Sequence, residues 1–231
     1  MSKIKVILWD VDGTLLNFEA AERVAIRACF ERFALGECSD EMLEQYSAIN
    51  KKYWERLERG ELSKPEVLTG RFIEFFSLRG LDINAVPAFN DAYQVALGDT
   101  VCFNDDAADI IRTLSDSYKQ YVVTNGTRIA QEKKLSNSGL GTMMDDVFIS
   151  ELIGAEKPNI AFFNAVWEKI GHYAVDEVII VGDSLTSDMR GGNNAGILCC
   201  WYNPKGERAP GDIRIDYEIT DLRQIYDVLR C

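Results

Sequence analysis

The sequence predicts an α/β protein: a doubly wound parallel sheet, interrupted after its first strand by an all-helical insertion. Three observations carry that expectation. Short apolar runs, of the kind buried on both faces of a parallel sheet, alternate with helical segments from Val101 onward. One further run of this kind, Ile4 to Trp9, stands apart with Lys5 as its only charge. Between the two regions, from Glu19 to about Leu97, the periodicity is helical only.

The elements follow in order. Ile4 to Trp9 is the first strand. Met42, Tyr46, Ile49, Tyr53 and Leu57 then recur at helical spacing, and Gly60 marks a stop. Ser63-Lys64-Pro65-Glu66 reads as a capping box opening a helix that includes Phe72, Phe75 and Phe76 and ends near Gly80. Further strands are expected at Tyr121 to Thr124, Val147 to Ser150, Val178 to Gly182 and Leu198 to Tyr202. Helices near Asp105–Leu114, Thr127–Ser138, Asn159–Ile170 and Ser187–Ala195 connect them. Asp221 to Leu229 reads as a closing helix capped by Asp221 and Gln224. The domain division expected is a core of residues 1–16 and 98–231 with a helical insertion at 17–97.

Composition restricts the function classes. A chain of 231 residues with 47% apolar and 10% aromatic residues can bury a substantial core. With 25 basic against 37 acidic residues the net charge is −12, which repels a nucleic-acid backbone and an anionic membrane alike. A small phosphorylated substrate needs only a local positive pocket. The opening apolar run is too short for a signal sequence and nothing else approaches a membrane span, so a cytoplasmic protein is expected. The six cysteines show no metal-binding spacing and are expected as reduced thiols, Cys199 and Cys200 on opposite faces of a strand. His172, the only histidine, follows Gly171 at a helix end, where a structural or solvent-facing role is expected.

Polar residues gather where the strands end. Asp10-Val11-Asp12-Gly13-Thr14 follows the first, Thr124-Asn125-Gly126 the second and Gly182-Asp183-Ser184 the fourth, while Lys157-Pro158 comes soon after the third. In a doubly wound sheet such loops converge on one crevice beyond the carboxyl ends of the strands. Asp10, Asp12, Asp183 and Asp188 would crowd there. Two like charges ~4 Å apart repel by roughly 4 kcal/mol at an effective dielectric near 20, and a divalent cation relieves this. Oxygen-only ligands favour Mg²⁺. If the strand continues, Asp10 and Asp12 share one side. If the chain turns at Gly13, Asp12 can offer its backbone carbonyl to the metal and its side chain to a substrate. Singly, each motif could be a solvated turn, a helix-entry lysine or a helix N-terminal charge; their order and placement give them weight.

In that order, DVDGT, TNG, KP and GDSLTSD resemble the four motifs of haloacid dehalogenase (HAD) superfamily phosphatases, and the insertion resembles their helical cap. The resemblance implies a HAD-like Rossmannoid core with Asp10 as nucleophile, Asp12 as acid/base, Thr124 and Asn125 on phosphate, Lys157 as the positive charge, and Asp183 and Asp188 at a Mg²⁺ site. Within the cap, Ile49-Asn50-Lys51-Lys52-Tyr53-Trp54, Gly60-Glu61-Leu62-Ser63 and Gly70-Arg71-Phe72 are similar to YjjG-like pyrimidine 5′-nucleotidases, as are Trp9 and Cys200-Trp201-Tyr202-Asn203. That similarity implies a pyrimidine nucleoside monophosphate as substrate, with Asn50, Trp54 and Arg71 near the leaving group. Helix packing for Trp54 and a surface ion pair for Arg71 are the alternatives. The rivals are a phosphatase for another small metabolite, a sugar phosphomutase, a dehalogenase, which would need neither Asp12 nor Asp183, and a non-catalytic phosphorylatable receiver, which would be about half this length. Oligomeric state stays open.

Overall fold

The computed structural model describes residues 3–171 and 173–230; His172 and Cys231, whose expected roles are given above, lie outside the described residues. Six strands form one parallel sheet: β1 Val6–Trp9, β2 Lys119–Thr124, β3 Asp146–Ile149, β4 Val178–Gly182, β5 Leu198–Tyr202 and β6 Tyr217–Ile219, in the order β3-β2-β1-β4-β5-β6. The chain crosses from β1 to β2 on one side and later places β4 on the other. That reversal is the switch point of a doubly wound sheet, where ligand sites form. Trp9 pairs in register with Val122 and with Val181, so the loops after β1, β2 and β4 leave the sheet side by side.

All four residues of β1 and all five of β4 are buried, which explains their uninterrupted apolar character. Alternate residues serve the two faces. Ile7, Trp9, Val122, Ile179, Val181 and Cys200 pack into one core with α5 (Ala107–Leu114), whereas Val6, Leu8, Val123, Ile180 and Cys199 pack into the other with α9 (Ile160–Ile170). The neighbours Cys199 and Cys200 are therefore on opposite faces, as expected. The five described cysteines are free thiols.

Between β1 and α5 stand four helices: α1 Phe18–Arg32, α2 Asp40–Glu58, α3 Lys64–Arg79 and α4 Val86–Asp99. They enclose a core of their own built from rings. Tyr46 stacks on Phe72 at 5.0 Å, and Phe72 meets Phe89 and Tyr93 edge-on at 5.1 and 5.2 Å. Each such pair adds about 1 kcal/mol beyond the area it buries. Glu66 accepts from both the N–H and the hydroxyl of Ser63 at 2.7 Å, fixing the start of α3, and Gly80 ends that helix in the left-handed region.

The remaining helices are α6 Arg128–Ser138, the single turns α7 Leu140–Met143 and α8 Ser150–Ile153, then α9, α10 Arg190–Ala195 and α11 Ile225–Val228. The segment expected as a helix from Ser187 opens instead with a π-turn over Leu185–Met189, and the closing helix is shortened to a 3-10 turn at Leu222–Gln224 followed by α11. Strand β6 escaped the sequence reading because three residues with an exposed Glu218 at the centre carry too little apolar pattern. Among the described residues no helix is long and apolar enough to cross a membrane.

Candidate active site

The four polar loops converge at the carboxyl edge of the sheet. Asp10 emerges from β1, its backbone N–H donating to Val181 O, which locks it beside β4. Lys157, after α8, is 1% exposed and its ammonium donates to Asp10 Oδ1 at 2.8 Å, to Asp188 Oδ1 at 2.6 Å and to Val123 O at 2.7 Å. All three of its hydrogens are thereby used. Asn125 fixes the lysine from the side: its amide donates to Lys157 O at 2.8 Å and to Ser187 Oγ at 3.2 Å, while its oxygen accepts from Lys157 N at 2.9 Å. One asparagine thus ties together the loops after β2, β3 and β4.

Asp10, Asp183 and Asp188 each present a carboxylate oxygen within 4.8 Å of the others. Two close approaches make the cluster attainable. A Cβ on Gly13, whose φ is +96°, would fall 2.4 Å from Asp183 Oδ2, and a Cβ on Gly182 would fall 2.3 Å from the Asp188 carboxyl. The Trp201 indole donates to Asp183 O at 2.9 Å and the Thr14 hydroxyl to Asp183 Oδ1 at 3.3 Å, holding this residue from outside.

Electrostatically the cluster is short of positive charge. Burial, reinforced by Asp188 and Asp12, pushes Asp10 up to about 7 even though Lys157 opposes it. Burial would lower Lys157, yet the charges of Asp10 and Asp188 outweigh it and hold the ammonium up. Desolvation at the cleft floor and the charges of Asp10 and Asp188 drive Asp183 upward as well; because its surface opens to the cleft, water there offsets part of that burial. An all-oxygen, net-negative cluster of this kind fits a hard divalent cation such as Mg²⁺.

Asp12 stands apart. The chain turns at Gly13, and the Asp12 carboxylate points to α6, where it accepts from Gln131 Nε2 at 2.6 Å and from the Lys134 ammonium. Its side chain is therefore outside the group of three acids, and the backbone carbonyl is the atom it has left to offer a metal. Thr124, 1% exposed, accepts the Gly126 N–H at its hydroxyl.

Above these loops lies a cavity of about 750 Å³, roofed by α1, α2 and α3 and bordered by Asp10, Asp12, Thr124, Asn125, Asp183 and Asp188 on the floor side. Asn50 and Trp54 of α2 and Arg71 of α3 also line it. Arg71 is not a surface ion pair: it is 1% exposed, donates to Asn50 Oδ1 at 2.6 Å and Asn90 Oδ1 at 3.3 Å, and lies over the Phe72 and Tyr93 rings. Trp54 is half-buried, 6.0 Å from the guanidinium.

Several lining residues were missed from sequence. Gln131 and Lys134 share one face of α6 and could have been found by their i, i+3 spacing after the Thr124 loop. Glu58 on α2 reaches down to accept from Thr186 and from Ser184 Oγ, and burial pushes it up to about 7. Glu22 on α1 was signalled by its place on a face otherwise made of Ala21, Ala25, Ile26 and Cys29.

The fold and the floor of this cleft are those of the haloacid dehalogenase-like hydrolases. The model of that family matches residues 4–196, and the chain belongs to it. Over 229 residues it is 35% identical to the Bacillus subtilis (strain 168) HAD-hydrolase YfnB, covering 99% of this chain and 97% of that one. The crystal structure of YfnB bound to magnesium superposes with a TM-score of 0.93 over 99% of both chains. The pyrimidine 5′-nucleotidases PynA of Streptococcus pneumoniae (strain ATCC BAA-255 / R6) and YjjG of Escherichia coli (strain K12) are 32% and 27% identical, over 97% and 96% of this chain and 94% and 96% of theirs.

Proposed function

We propose that this hydrolase is a Mg²⁺-dependent phosphatase that works through an aspartyl-phosphate on Asp10 and acts on pyrimidine nucleoside 5′-monophosphates. The observation that carries the reading is the buried Lys157 ammonium shared by Asp10 and Asp188 at the base of the cavity. A carboxylate can approach an anionic phosphate only where positive charge is fixed in advance, and the lysine supplies one such charge. When bound by Asp10, Asp183, Asp188 and the Asp12 carbonyl, Mg²⁺ supplies the rest and orients the phosphate oxygens.

Asp10 attacks phosphorus and the ester oxygen leaves with a proton from Asp12. Water, deprotonated by Asp12, then releases phosphate from Asp10. Asn125 keeps the lysine in place, and the Thr124 loop holds the remaining phosphate oxygens. Residues 1–16 and 98–231 serve as the catalytic core and the insertion at 17–97, whose last helix runs on to Asp99, as a cap that closes over the site and excludes water.

The pyrimidine preference draws on the similarity to the pyrimidine 5′-nucleotidases PynA and YjjG and on the hydrogen-bonding groups of Asn50 and Arg71 in the cavity wall. The free thiols of the five described cysteines suit a reducing, cytoplasmic compartment. Phosphate release from uridine, thymidine, adenosine and guanosine monophosphates and from glyceraldehyde 3-phosphate, with and without Mg²⁺, tests the reading. It predicts Mg²⁺-dependent turnover with the pyrimidine nucleotides ahead; a preference for purine or sugar phosphates would overturn the nucleotidase assignment.

A further inference from the structure

Glu22 is a buried carboxylate with a place in the cavity and no use in the chemistry described above. It is 2% exposed and borders the same cavity as Asp10 and Asp12. Asn50 Nδ2 donates to its Oε1 at 2.8 Å, and the Ser47 hydroxyl donates to its Oε2. Among the described residues no lysine or arginine forms an ion pair with it. The Arg71 charge favours the ionised Glu22 through space without touching it, and Arg71 also holds the oxygen of Asn50 so that the amide hydrogens face Glu22.

An ionised carboxylate offers about four acceptor sites, and neutral partners fill two here. Burial pushes the Glu22 carboxyl up, with the bonds from Ser47 and Asn50 opposing that push. A desolvated carboxylate with no cation in contact, and with acceptor capacity to spare beside a ligand-sized cavity, is a receptor for hydrogen-bond donors. Nucleoside leaving groups carry such donors at two places, the hydroxyls of the sugar and the ring N–H of uracil or thymine.

We propose that Glu22, oriented by the Asn50–Arg71 chain, accepts a hydrogen bond from an N–H or O–H donor of the leaving group and is a specificity-determining residue. The proposal rests on the nucleotidase reading. An orienting chain of this kind selects strongly, because a substrate lacking the donor leaves the carboxylate buried and unmatched.

The test compares kcat/KM of the wild type and Glu22→Gln for uridine 5′-monophosphate, its 2′-deoxy, 3′-deoxy and N3-methyl analogues, and para-nitrophenyl phosphate, which has no such donors. In the wild type one analogue is expected to fall at least about tenfold below the parent nucleotide, and which one falls names the donor. In Glu22→Gln that discrimination is expected to collapse, and the ratio of uridine monophosphate to para-nitrophenyl phosphate to drop by at least about tenfold. Analogues equal to the parent on the wild type would overturn the proposal without any variant having to fold. Discrimination surviving intact in Glu22→Gln, or equal losses on all substrates, would overturn it too by reducing Glu22 to a cap-packing residue. Wild type that hydrolyses para-nitrophenyl phosphate but no nucleotide would overturn the nucleotidase reading itself, a distinguishable result that takes the proposal with it.

Discussion

The ammonium of Lys157 lies 2.6 Å from Asp188 Oδ1, with both side chains 1% exposed, and the same ammonium holds Asp10 at 2.8 Å. Removing one partner of a buried pair leaves an uncompensated charge, which costs about 3–5 kcal/mol. Lys157→Met should therefore lower the unfolding free energy by roughly that much in metal-free buffer. Urea denaturation in the presence of a chelator measures it, and a loss below about 1 kcal/mol would show that the lysine does not compensate the two acids.

The pH dependence of the metal-free protein follows from Asp10, moved from its ordinary 3.8 to about 7. A group whose pKa is raised on folding contributes stability that is fully present below the unfolded value and is lost as pH rises through the folded one. Stability in chelator should fall between about pH 4 and pH 7, by an amount on the order of a few kcal/mol. Glu58, pushed to about 7, adds to the trend in the same direction. Asp10→Asn should flatten part of this slope and be the more stable protein at pH 8. Identical slopes for both proteins would contradict the burial argument.

Mg²⁺ should bind the folded state and stabilise it by about 2.7 kcal/mol when present at one hundred times its Kd. Asp183→Asn removes the proposed ligand most open to the cleft and should abolish the rise in Tm that Mg²⁺ produces. Ca²⁺, with its larger and looser coordination, should support little turnover. Full activity after exhaustive chelation, with no metal found by elemental analysis, would contradict the account.

Asp12 is held by Gln131 and Lys134 rather than by the other acids, and this separates its role from theirs. A general acid matters most where the leaving group is poor. Asp12→Asn should lower turnover of uridine monophosphate by about 10²–10⁴ and that of para-nitrophenyl phosphate by less, since nitrophenolate leaves with little need of a proton. A chromatographic phosphate assay on both substrates reads the difference. Equal losses would assign Asp12 to metal or phosphate binding.

What the sequence disclosed and what it concealed divide along physical lines. Ile4 to Trp9 and Val178 to Gly182 were legible because strands buried on both faces are apolar throughout, Asp10 and Asp183 because each directly follows such a strand, and Lys157 because its Lys-Pro pair comes soon after the third strand and falls in order with the other motifs. Strand β6 was hidden by its brevity and by Glu218. The direction of the Asp12 side chain was open because it depends on the turn at Gly13 and on two residues of α6 more than a hundred positions away. Arg71 was visible as a residue, yet its burial among Phe72, Tyr93 and Asn50 is a product of three helices packing together, which no local pattern encodes.

The central claim is that Asp10 is the group that takes the phosphoryl, and turnover by Asp10→Asn tests it most directly. The substitution keeps the shape of the side chain beside Lys157, so a folded protein is expected, checked by circular dichroism and a cooperative melt. With Mg²⁺ and saturating uridine monophosphate the account predicts turnover below about one-thousandth of wild type. Turnover near the wild-type rate in that folded variant would contradict it.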